Sequence, residues 1–290
     1  MKQIAIISGK GGTGKTTIAA AFAALASNKI IADCDVDAPN LYLVLNPAIK
    51  AKKEFKGSQT AVIDEDKCTE CGLCEDTCRF DAIHDYEINP ILCEGCGVCG
   101  ISCPEEAIRL EEGVSGYTFI SDTKYGPLSH ARLHTAEEAS GKLVTVVRDS
   151  SIELARGSQN NLILIDGPPG IGCPVIASLS GVDIALIVTE PSQSGLHDLK
   201  RILGVVEHFS VKPLVCINKY DINEEVTGEI EALCKKKGIE LVGKIRYDES
   251  ITKAMVEGVP VVEFETERKS KAAEEIKGMW NRVKQILQPS

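Results

Sequence analysis

The chain has 290 residues, of which 43% are hydrophobic, so it can bury a core, and a disordered or fibrous protein is excluded. The net charge of −10 comes from one segment, because residues 57–113 contain 14 acidic and 3 basic residues, and so acidic a segment disfavours nucleic-acid binding. No stretch approaches 18 consecutive apolar residues and no signal peptide is evident, so we expect a cytoplasmic protein without a membrane span.

The first predicted elements form a phosphate-binding loop. An apolar strand at residues 4–7 is followed by a glycine-rich segment at residues 9–17 and an alanine-rich helix from Ile18. In this order of elements, backbone N–H groups surround phosphate oxygens at the positive end of the helix. Lys15 is predicted to reach the β- and γ-phosphates, and the Thr16 hydroxyl to bind Mg²⁺. The predicted nucleotide-binding residues of this loop are Gly11, Gly12, Thr13, Gly14, Lys15, Thr16 and Thr17.

The loop also carries a second lysine, Lys10, and residues 10–17 read KGGTGKTT. This motif resembles the deviant Walker A motif of the MinD/ParA/Mrp group of P-loop ATPases. The resemblance implies ATP and Mg²⁺ as cofactors and a nucleotide-dependent homodimer in which Lys10 reaches the partner's phosphates. It also assigns Asp35, in the acidic segment after the second strand, to the Mg²⁺ water shell or to the attacking water.

A cysteine repeat follows the acidic segment. Four cysteines in the spacing C-x2-C-x2-C-x3-C recur 25 residues later, and the pattern resembles bacterial two-cluster ferredoxins, in which each run lends its fourth cysteine to the other cluster. The resemblance assigns Cys68, Cys71, Cys74 and Cys103 to one [4Fe-4S] cluster, and Cys78, Cys93, Cys96 and Cys99 to a second. The alternative is a pair of zinc sites, although zinc modules usually pair two C-x2-C knuckles across a longer gap. Two neighbouring clusters predict an electron relay.

The acidic repeat predicts a second domain inserted into the first. We expect an α+β ferredoxin-like domain at residues 57–113, inserted into a discontinuous ATPase domain at residues 1–56 and 114–290. In the second part of that host, short apolar strands at residues 162–166, 183–188, 214–218 and 239–245 alternate with helical stretches. This alternation predicts an α/β fold, with a mostly parallel twisted sheet covered by helices on both faces.

The segment at residues 162–170, LILIDGPPG, is an apolar strand that ends at an aspartate. In the family it resembles, this is the Walker B and switch II element. The resemblance implies that Asp166 holds a Mg²⁺ water and that Gly170 lies against the γ-phosphate. Lys10, Lys15, Asp35 and Asp166 are therefore the predicted catalytic residues.

Residues 218–221, NKYD, do not decide whether the nucleotide base is adenine or guanine. In MinD-like proteins an asparagine at the position of Asn218 contacts adenine, whereas N-K-x-D is also the guanine-binding motif of GTPases, in which the aspartate, here Asp221, binds the base. The family resemblance favours ATP. Residues 271–287 predict a helix with a narrow apolar stripe that includes Trp280, which we expect to pack on the protein's own core rather than on a membrane.

One further cysteine, Cys173, follows Asp166 by seven residues. The nitrogenase iron protein, a member of the resembled group, has a cluster-ligating cysteine at this spacing at its dimer interface. Cys173 is therefore a candidate interface metal ligand, and the alternative is a small buried residue at a helix start. His130 and His134 precede the Walker B strand, and we expect them to be polar or phosphate-contacting residues rather than ligands.

Together these motifs predict an ATPase that couples nucleotide state to electron transfer through two clusters. The expected partner is a redox or cluster-bearing protein undergoing assembly or reduction. The alternative is a carrier or scaffold that holds a metal or cluster between subunits through Cys173. A MinD/ParA-like positioning ATPase and a GTPase switch are further alternatives.

Overall fold

The structure is a computed structural model, and it describes residues 1–134, 139–264 and 270–287. Besides one short 3-10 turn, Tyr220–Ile222, the described residues form helices and strands. In chain order these are β1 Lys2–Ser8, α1 Lys15–Leu25, β2 Lys29–Asp33, α2 Leu41–Leu45, β3 Ala48–Phe55, β4 Gln59–Ile63, α3 Leu73–Thr77, β5 Ile83–His84, β6 Glu87–Ile88, α4 Val98–Ser102, β7 Ile108–Glu112, β8 Gly116–Thr123, β9 Gly126–Leu133, α5 Ser140–Arg156, β10 Leu162–Pro169, α6 Cys173–Leu179, β11 Ile184–Thr189, α7 Gln193–His208, β12 Lys212–Asn218, α8 Glu224–Lys237, β13 Glu240–Ile245, α9 Glu249–Val256 and α10 Lys271–Leu287.

The chain divides into two compact units. The first contains Met1–Lys52, Thr118–Arg132 and the described part of Ser140–Ser290. The second contains Lys53–Tyr117 and the described part of Leu133–Ala139.

A nine-stranded sheet dominates the described residues, in the order β13-β12-β11-β1-β10-β2-β9-β8-β3. The strands from β13 to β9 pair in parallel. Helices α1 and α10 pack on one side of the central strands, and α5, α6 and α7 contact the same strands from the other side. The predicted α/β fold is therefore confirmed.

Alternation along β1 explains why both faces are covered. Ile4 and Ile6 are fully buried in one core with Phe22 of α1 and Trp280 of α10, whose ring centroids lie 4.7 Å apart. The intervening Ala5 and the following Ile7 are also fully buried, although they point to the opposite face, because successive side chains of a strand alternate. The C-terminal helix thus packs on the protein's own core, as its apolar stripe predicted.

The second unit repeats one structure twice. The β4–β7 pair aligns Ile63 with Ile108, and the β5–β6 pair aligns Ile83 with Ile88. Ile88 lies 25 residues after Ile63, and Ile108 lies 25 residues after Ile83, so the two pairs are equivalent under the repeat. Helices α3 and α4 begin at positions that also differ by 25 residues. The cysteine repeat is therefore a repeat of backbone structure as well as of sequence.

None of the helices in the described ranges combines the length and the apolar character that crossing a lipid bilayer requires.

Candidate functional site

The loop between β1 and α1 has a backbone that only glycine adopts easily at two positions. Gly12 and Gly14 have φ angles of 78° and 91°, in the left-handed region. At Gly9 a side chain would collide with the neighbouring helix, because an added Cβ would lie 2.6 Å from the Cβ of Asp198. The glycines therefore let the loop curl tightly in front of α1, where backbone N–H groups converge.

Lys15 extends from the first residue of α1 into a group of buried carboxylates. Its Nζ atom lies 3.5 Å from Asp35 Oδ2 and 3.6 Å from Asp166 Oδ1. Burial alone would lower the pKa of Lys15, but Asp166, Asp35 and Asp33 together raise it. The lysine therefore stays charged although it is almost completely buried.

Asp166 is 1% exposed, and among the described residues neither of its carboxylate oxygens has a hydrogen-bond partner. Burial raises the pKa of this carboxyl, while the charge of Lys15 limits the rise. A buried carboxylate that lacks hydrogen bonds is costly unless a cation or a bound water satisfies it. Its position beside Thr16 suits a residue that holds a Mg²⁺ water.

A second buried acid, Asp33, was not predicted from the sequence. It ends β2, pairs in register with Asp166 on β10, and accepts a hydrogen bond of 3.2 Å from the Asp35 backbone N–H. Burial, and then the charge of Asp166, raise its pKa well above the ordinary value. Asp33 thereby orients the loop that carries Asp35, and the pairing of β2 with β10 brings it beside Asp166.

Lys10 is bound within its own chain rather than directed into solvent. Its ammonium lies 2.7 Å from Glu190 Oε1 and donates to the hydroxyls of Ser194 at 2.9 Å and Ser192 at 3.2 Å. Glu190 also lies 3.5 Å from Lys219. Burial would raise the pKa of Glu190, but Lys10 and Lys219 lower it, so it is a carboxylate at neutral pH. Sequence analysis missed Glu190, because the pair joins residues 180 positions apart.

The remaining predicted residues of the loop and of the segment after β10 have different surroundings. The N–H of Gly170, which has φ 95°, donates to the Ser8 carbonyl at 2.8 Å and so holds switch II against the end of β1. Gly11 has open space where a side chain would be. The Thr17 hydroxyl faces the sulfur of Met255 at 3.6 Å, and the buried Thr13 hydroxyl has no partner among the described residues.

Asn218 braces the phosphate-binding loop in this structure. Its side-chain amide donates to the Thr13 carbonyl at 2.8 Å, and its side-chain oxygen accepts from the Lys219 N–H at 3.0 Å. One carboxylate oxygen of Asp221 accepts from the Tyr247 N–H at 2.7 Å. The roles of Asn218 and Asp221 at the base remain predictions.

The eight clustered cysteines surround two pockets of the second unit, four to each pocket. The first is lined by Cys68, Cys71, Cys74 and Cys103, and the second by Cys78, Cys93, Cys96 and Cys99. In each case the fourth cysteine comes from the other run. These are the two ligand sets that the ferredoxin resemblance implies.

The two cysteines that cross between runs receive the same hydrogen bond. The Ala82 N–H donates to Cys78 Sγ, and the Ala107 N–H donates to Cys103 Sγ, both at 3.4 Å. Donors of this kind stabilise the thiolate, which is the form of cysteine that ligates iron. The donor set and the surrounding amides therefore fit iron–sulfur ligation at both pockets.

Cys173 is the exposed first residue of α6. It lines a cavity of about 720 Å³ between α5 and α6, together with Arg148 and Lys142. A Cβ added at Gly141 would lie 3.2 Å from the Cβ of Cys173, so the start of α5 packs closely against it. In the described ranges no group of three or more His, Cys, Asp or Glu residues is spaced to hold a single metal ion, either around Cys173 or at the two four-cysteine pockets. The expected metal at Cys173 stays a prediction.

The two histidines before the Walker B strand are engaged by their own neighbours. His130 stacks on Phe119 and lies 2.9 Å from the Ser121 hydroxyl, and burial lowers its pKa to about 4. His134 lies edge-on to Tyr117, with ring centroids 5.4 Å apart. Both histidines therefore have structural partners within the chain.

Comparison with known proteins adds a family match that spans most of the chain. The family model described as the CobQ/CobB/MinD/ParA nucleotide binding domain matches residues 4–261. An uncharacterized protein of Methanocaldococcus jannaschii is 40% identical over 225 residues, which cover 76% of this chain and 79% of that protein. The iron–sulfur cluster carrier protein of the same organism is 26% identical over 301 residues, covering 97% of this chain and 83% of its own length.

Solved structures show the same fold at low identity. The cell division ATPase MinD of Pyrococcus furiosus superposes with a TM-score of 0.61 at 20% identity, covering 98% of this chain and 99% of that one. The septum site-determining protein MinD of Pyrococcus horikoshii, complexed with Mg-ADP, gives a TM-score of 0.61 at 21% identity, with coverage of 98% and 96%.

Proposed function

Because the chain belongs to the CobQ/CobB/MinD/ParA nucleotide-binding domain family, we propose that it is a Mg²⁺-dependent ATPase whose nucleotide state controls electron transfer to a partner protein. The observation that carries the proposal is the presence of two structures in one chain. One is the loop of Lys10 and Lys15 beside buried carboxylates, and the other is a pair of four-cysteine pockets. The partner would be a redox or cluster-bearing protein.

The nucleotide site would act by positioning and by neutralising charge. The ammonium of Lys15, which lies between Asp35 and Asp166, can turn to the β- and γ-phosphates when ATP binds. Thr16, Asp35 and Asp166 would hold Mg²⁺ and its waters, and the ion would supply further positive charge at the phosphates. Asp35, whose loop is held by a hydrogen bond to Asp33, would direct a water towards the γ-phosphate.

Lys10 would act across a homodimer of two such chains. In the structure its charge is balanced by Glu190, so it has to exchange this partner for the phosphates of the second subunit. The family resemblance implies that exchange, and it would tie assembly of the active site to ATP binding. Lys219 lies near enough to remain paired with Glu190 after the exchange.

The second unit would hold two [4Fe-4S] clusters, in a ferredoxin-like domain assigned to residues 57–113. One site is formed by Cys68, Cys71, Cys74 and Cys103, and the other by Cys78, Cys93, Cys96 and Cys99. The clusters would supply one-electron relay chemistry. The chain's own contribution is to supply thiolates and the amide donors of Ala82 and Ala107.

The coupling can be tested by electron paramagnetic resonance on the reduced holoprotein. We expect MgATP to change the spectrum or the midpoint potentials of the clusters in the wild type. In Lys15→Gln, which should bind nucleotide without aligning the phosphates, the change should be absent. Identical spectra and potentials with and without MgATP, in a protein that hydrolyses ATP, would contradict the coupling.

A second candidate function is a cluster carrier that holds its cargo through Cys173. Two observations favour it: the exposure of Cys173 at the start of α6, and the similarity to proteins named as iron–sulfur cluster carriers. A carrier should contain about two additional irons per chain, from one cubane shared by a dimer. Transfer of that iron to an apo-ferredoxin, lost in Cys173→Ser, would establish this alternative.

The nucleotide itself can be identified by competition. We expect ATP to displace a fluorescent ATP analogue, while GTP fails to do so at the same concentration. The reverse order would move the protein to the GTPase class that residues 218–221 leave open.

A further inference from the structure

Four apolar side chains of the second cysteine run are exposed. Ile91 and Leu92 are 74% and 43% exposed, and Val98 and Ile101 of α4 are 43% and 87% exposed. We call these four residues the apolar set. Val98 and Ile101 are three positions apart, so they lie on the same side of α4. Apolar side chains concentrated on a small exposed segment mark interaction sites more often than chance exposure does.

The internal repeat supplies a control for these positions. Shifted by 25 residues, three members of the apolar set correspond to charged and exposed residues of the first half, namely Asp66, Lys67 and Asp76 for Ile91, Leu92 and Ile101. The fourth, Val98, corresponds to Leu73, which is 45% exposed, so the contrast between the halves lies at the other three positions. If the fold required apolar residues here, both halves would have them. This control requires that the two halves of the repeat have the same backbone structure.

The turns before the two cysteine runs have the same hydrogen bonds. The Asp66 N–H donates to Asp64 Oδ1 at 3.2 Å, and the Ile91 N–H donates to Asn89 Oδ1 at 3.0 Å. The next N–H in each turn donates to the carbonyl of the same Asp64 or Asn89, at 3.1 and 3.2 Å. One turn thus accommodates Asp-Lys and the other Ile-Leu without a change in backbone structure.

The two short helices match in the same way. The Asp76 N–H donates to the Gly72 carbonyl at 3.1 Å, and the Ile101 N–H donates to the Gly97 carbonyl at 3.2 Å. Gly72 and Gly97 have φ angles of 79° and 76°. Since the first half forms this helix with an exposed aspartate, folding does not explain the isoleucine in the second half.

The charge around the apolar set indicates what kind of surface would cover it. Residues 57–113 contain 14 acidic and 3 basic residues, and Glu94, Glu105 and Glu106 near the second run are exposed. An apolar centre with an acidic surround is complementary to an apolar centre with a basic rim. A second copy of this acidic segment would instead be repelled.

The apolar set also lies next to one of the two cysteine pockets. Ile91 and Leu92 directly precede Cys93, and Val98 directly precedes Cys99 and lines the second pocket. A protein docked on these side chains would therefore contact the segment that forms the second pocket.

We propose that the redox partner docks on Ile91, Leu92, Val98 and Ile101, so that electrons pass between the chain and its partner at the second pocket rather than at the first. The partner is a redox protein whose docking face has an apolar centre and a basic rim. This inference rests on the proposed electron-transfer function, and it adds the place of exchange and the chemistry of the partner.

The test replaces three apolar residues of the second half by their counterparts from the first half, in the full-length holoprotein. The variant Ile91→Asp/Leu92→Lys/Ile101→Asp carries residues that the same backbone already holds at Asp66, Lys67 and Asp76. The control, Ile49→Asp, changes an isoleucine of β3 that is 59% exposed. Both variants make the chain one charge more negative, and their iron content and melting temperature should match the wild type.

The probe is mitochondrial cytochrome c, a basic redox protein whose exposed haem edge is ringed by lysines. With both proteins oxidised, calorimetric titration reports docking alone. After the clusters are reduced with dithionite and the excess reductant is removed, stopped-flow absorbance reports the transfer of one electron from a reduced cluster to each ferric haem. We expect the triple variant to bind at least about tenfold more weakly and to reduce cytochrome c more slowly, with Ile49→Asp within about twofold of the wild type. Charge alone predicts the opposite, since a more negative chain should bind a basic probe more tightly.

Two results would overturn the inference. One is equal binding of the wild type and the triple variant at equal iron content, and the other is no saturable binding by the wild type. A wild-type protein that contains no iron would instead overturn the proposed function itself. The iron measurement thus separates the two failures.

Discussion

At the scale of single residues, Lys15 stabilises the group of carboxylates at the proposed nucleotide site. Its ammonium forms ion pairs with Asp35 and Asp166, and it opposes the pKa rise that burial causes in Asp166. Removing one member of a buried ion pair leaves the other uncompensated, which typically destabilises a protein by about 3 kcal/mol or more. The lysine therefore contributes to folding stability before any phosphate is bound.

This role predicts a pH-dependent loss of stability in Lys15→Gln. Without the lysine, the pKa of Asp166 rises further above its unfolded value, so the folded state binds the proton more tightly than the unfolded state. A group with a raised folded pKa loses stability as pH rises, so the variant should be least stable near pH 8 and recover as pH falls towards 5. Urea unfolding at several pH values measures this.

A matched control for that experiment is Lys10→Gln. Its partner Glu190 is part-exposed and keeps Lys219 nearby, so its stability should vary little with pH relative to the wild type. If Lys15→Gln showed no more pH dependence than Lys10→Gln, the coupling between Lys15 and Asp166 would be refuted.

Glu190 sets a second prediction at this scale. Glu190→Gln removes the carboxylate that binds Lys10 and should free the lysine for a partner subunit, so a dimer should form at an ATP-analogue concentration about fivefold lower. Sedimentation velocity against analogue concentration measures the midpoint. Glu240→Gln, which removes a surface pair with Arg282, is the control. An unchanged or higher midpoint for Glu190→Gln would show that Glu190 does not restrain Lys10.

At the scale of elements, the two halves of the cysteine repeat share their hydrogen bonds and differ in their surfaces. Each half contributes three cysteines to its own pocket and one to the other. Losing one cysteine should therefore empty one site while the other keeps its ligands.

The iron content of two cysteine variants tests this division. Cys96→Ser should retain about four of about eight irons per chain, because the site of Cys68, Cys71, Cys74 and Cys103 is intact. Cys173→Ser should retain all of them, since Cys173 lies in the other unit. Loss of all iron from Cys96→Ser would contradict independent sites, and loss of about two irons per chain from Cys173→Ser would favour the carrier function.

At this scale, the sequence predicted the elements whose structure is determined by a local pattern of residues. The P-loop, the Walker B strand and the packing of α10 follow from glycine spacing and apolar periodicity. Asp33 was missed because only the register of β2 with β10 brings it beside Asp166, and Glu190 was missed because its contact with Lys10 spans 180 residues. The brace from Asn218 to Thr13 was missed for the same reason, since it joins residues 205 positions apart. The exposure of Ile91 and Ile101 also needed the folded structure, because an apolar residue in a sequence is first assumed to be buried.

At the scale of the whole molecule, the chain combines a family nucleotide-binding fold with a cysteine-rich unit. The nucleotide-binding family matches residues 4–261, a span that includes the cysteine repeat. The acidic charge is concentrated in that repeat, so the molecule presents one strongly negative segment to its partners. The proposed function assigns energy input to the first unit and electron exchange to the second.

The most direct test of this account is the content of iron, acid-labile sulfide and zinc in the wild-type protein purified without oxygen. The account predicts about eight irons and about eight sulfides per chain, with negligible zinc. About two zinc ions per chain and no sulfide would contradict it, because two zinc sites cannot relay electrons.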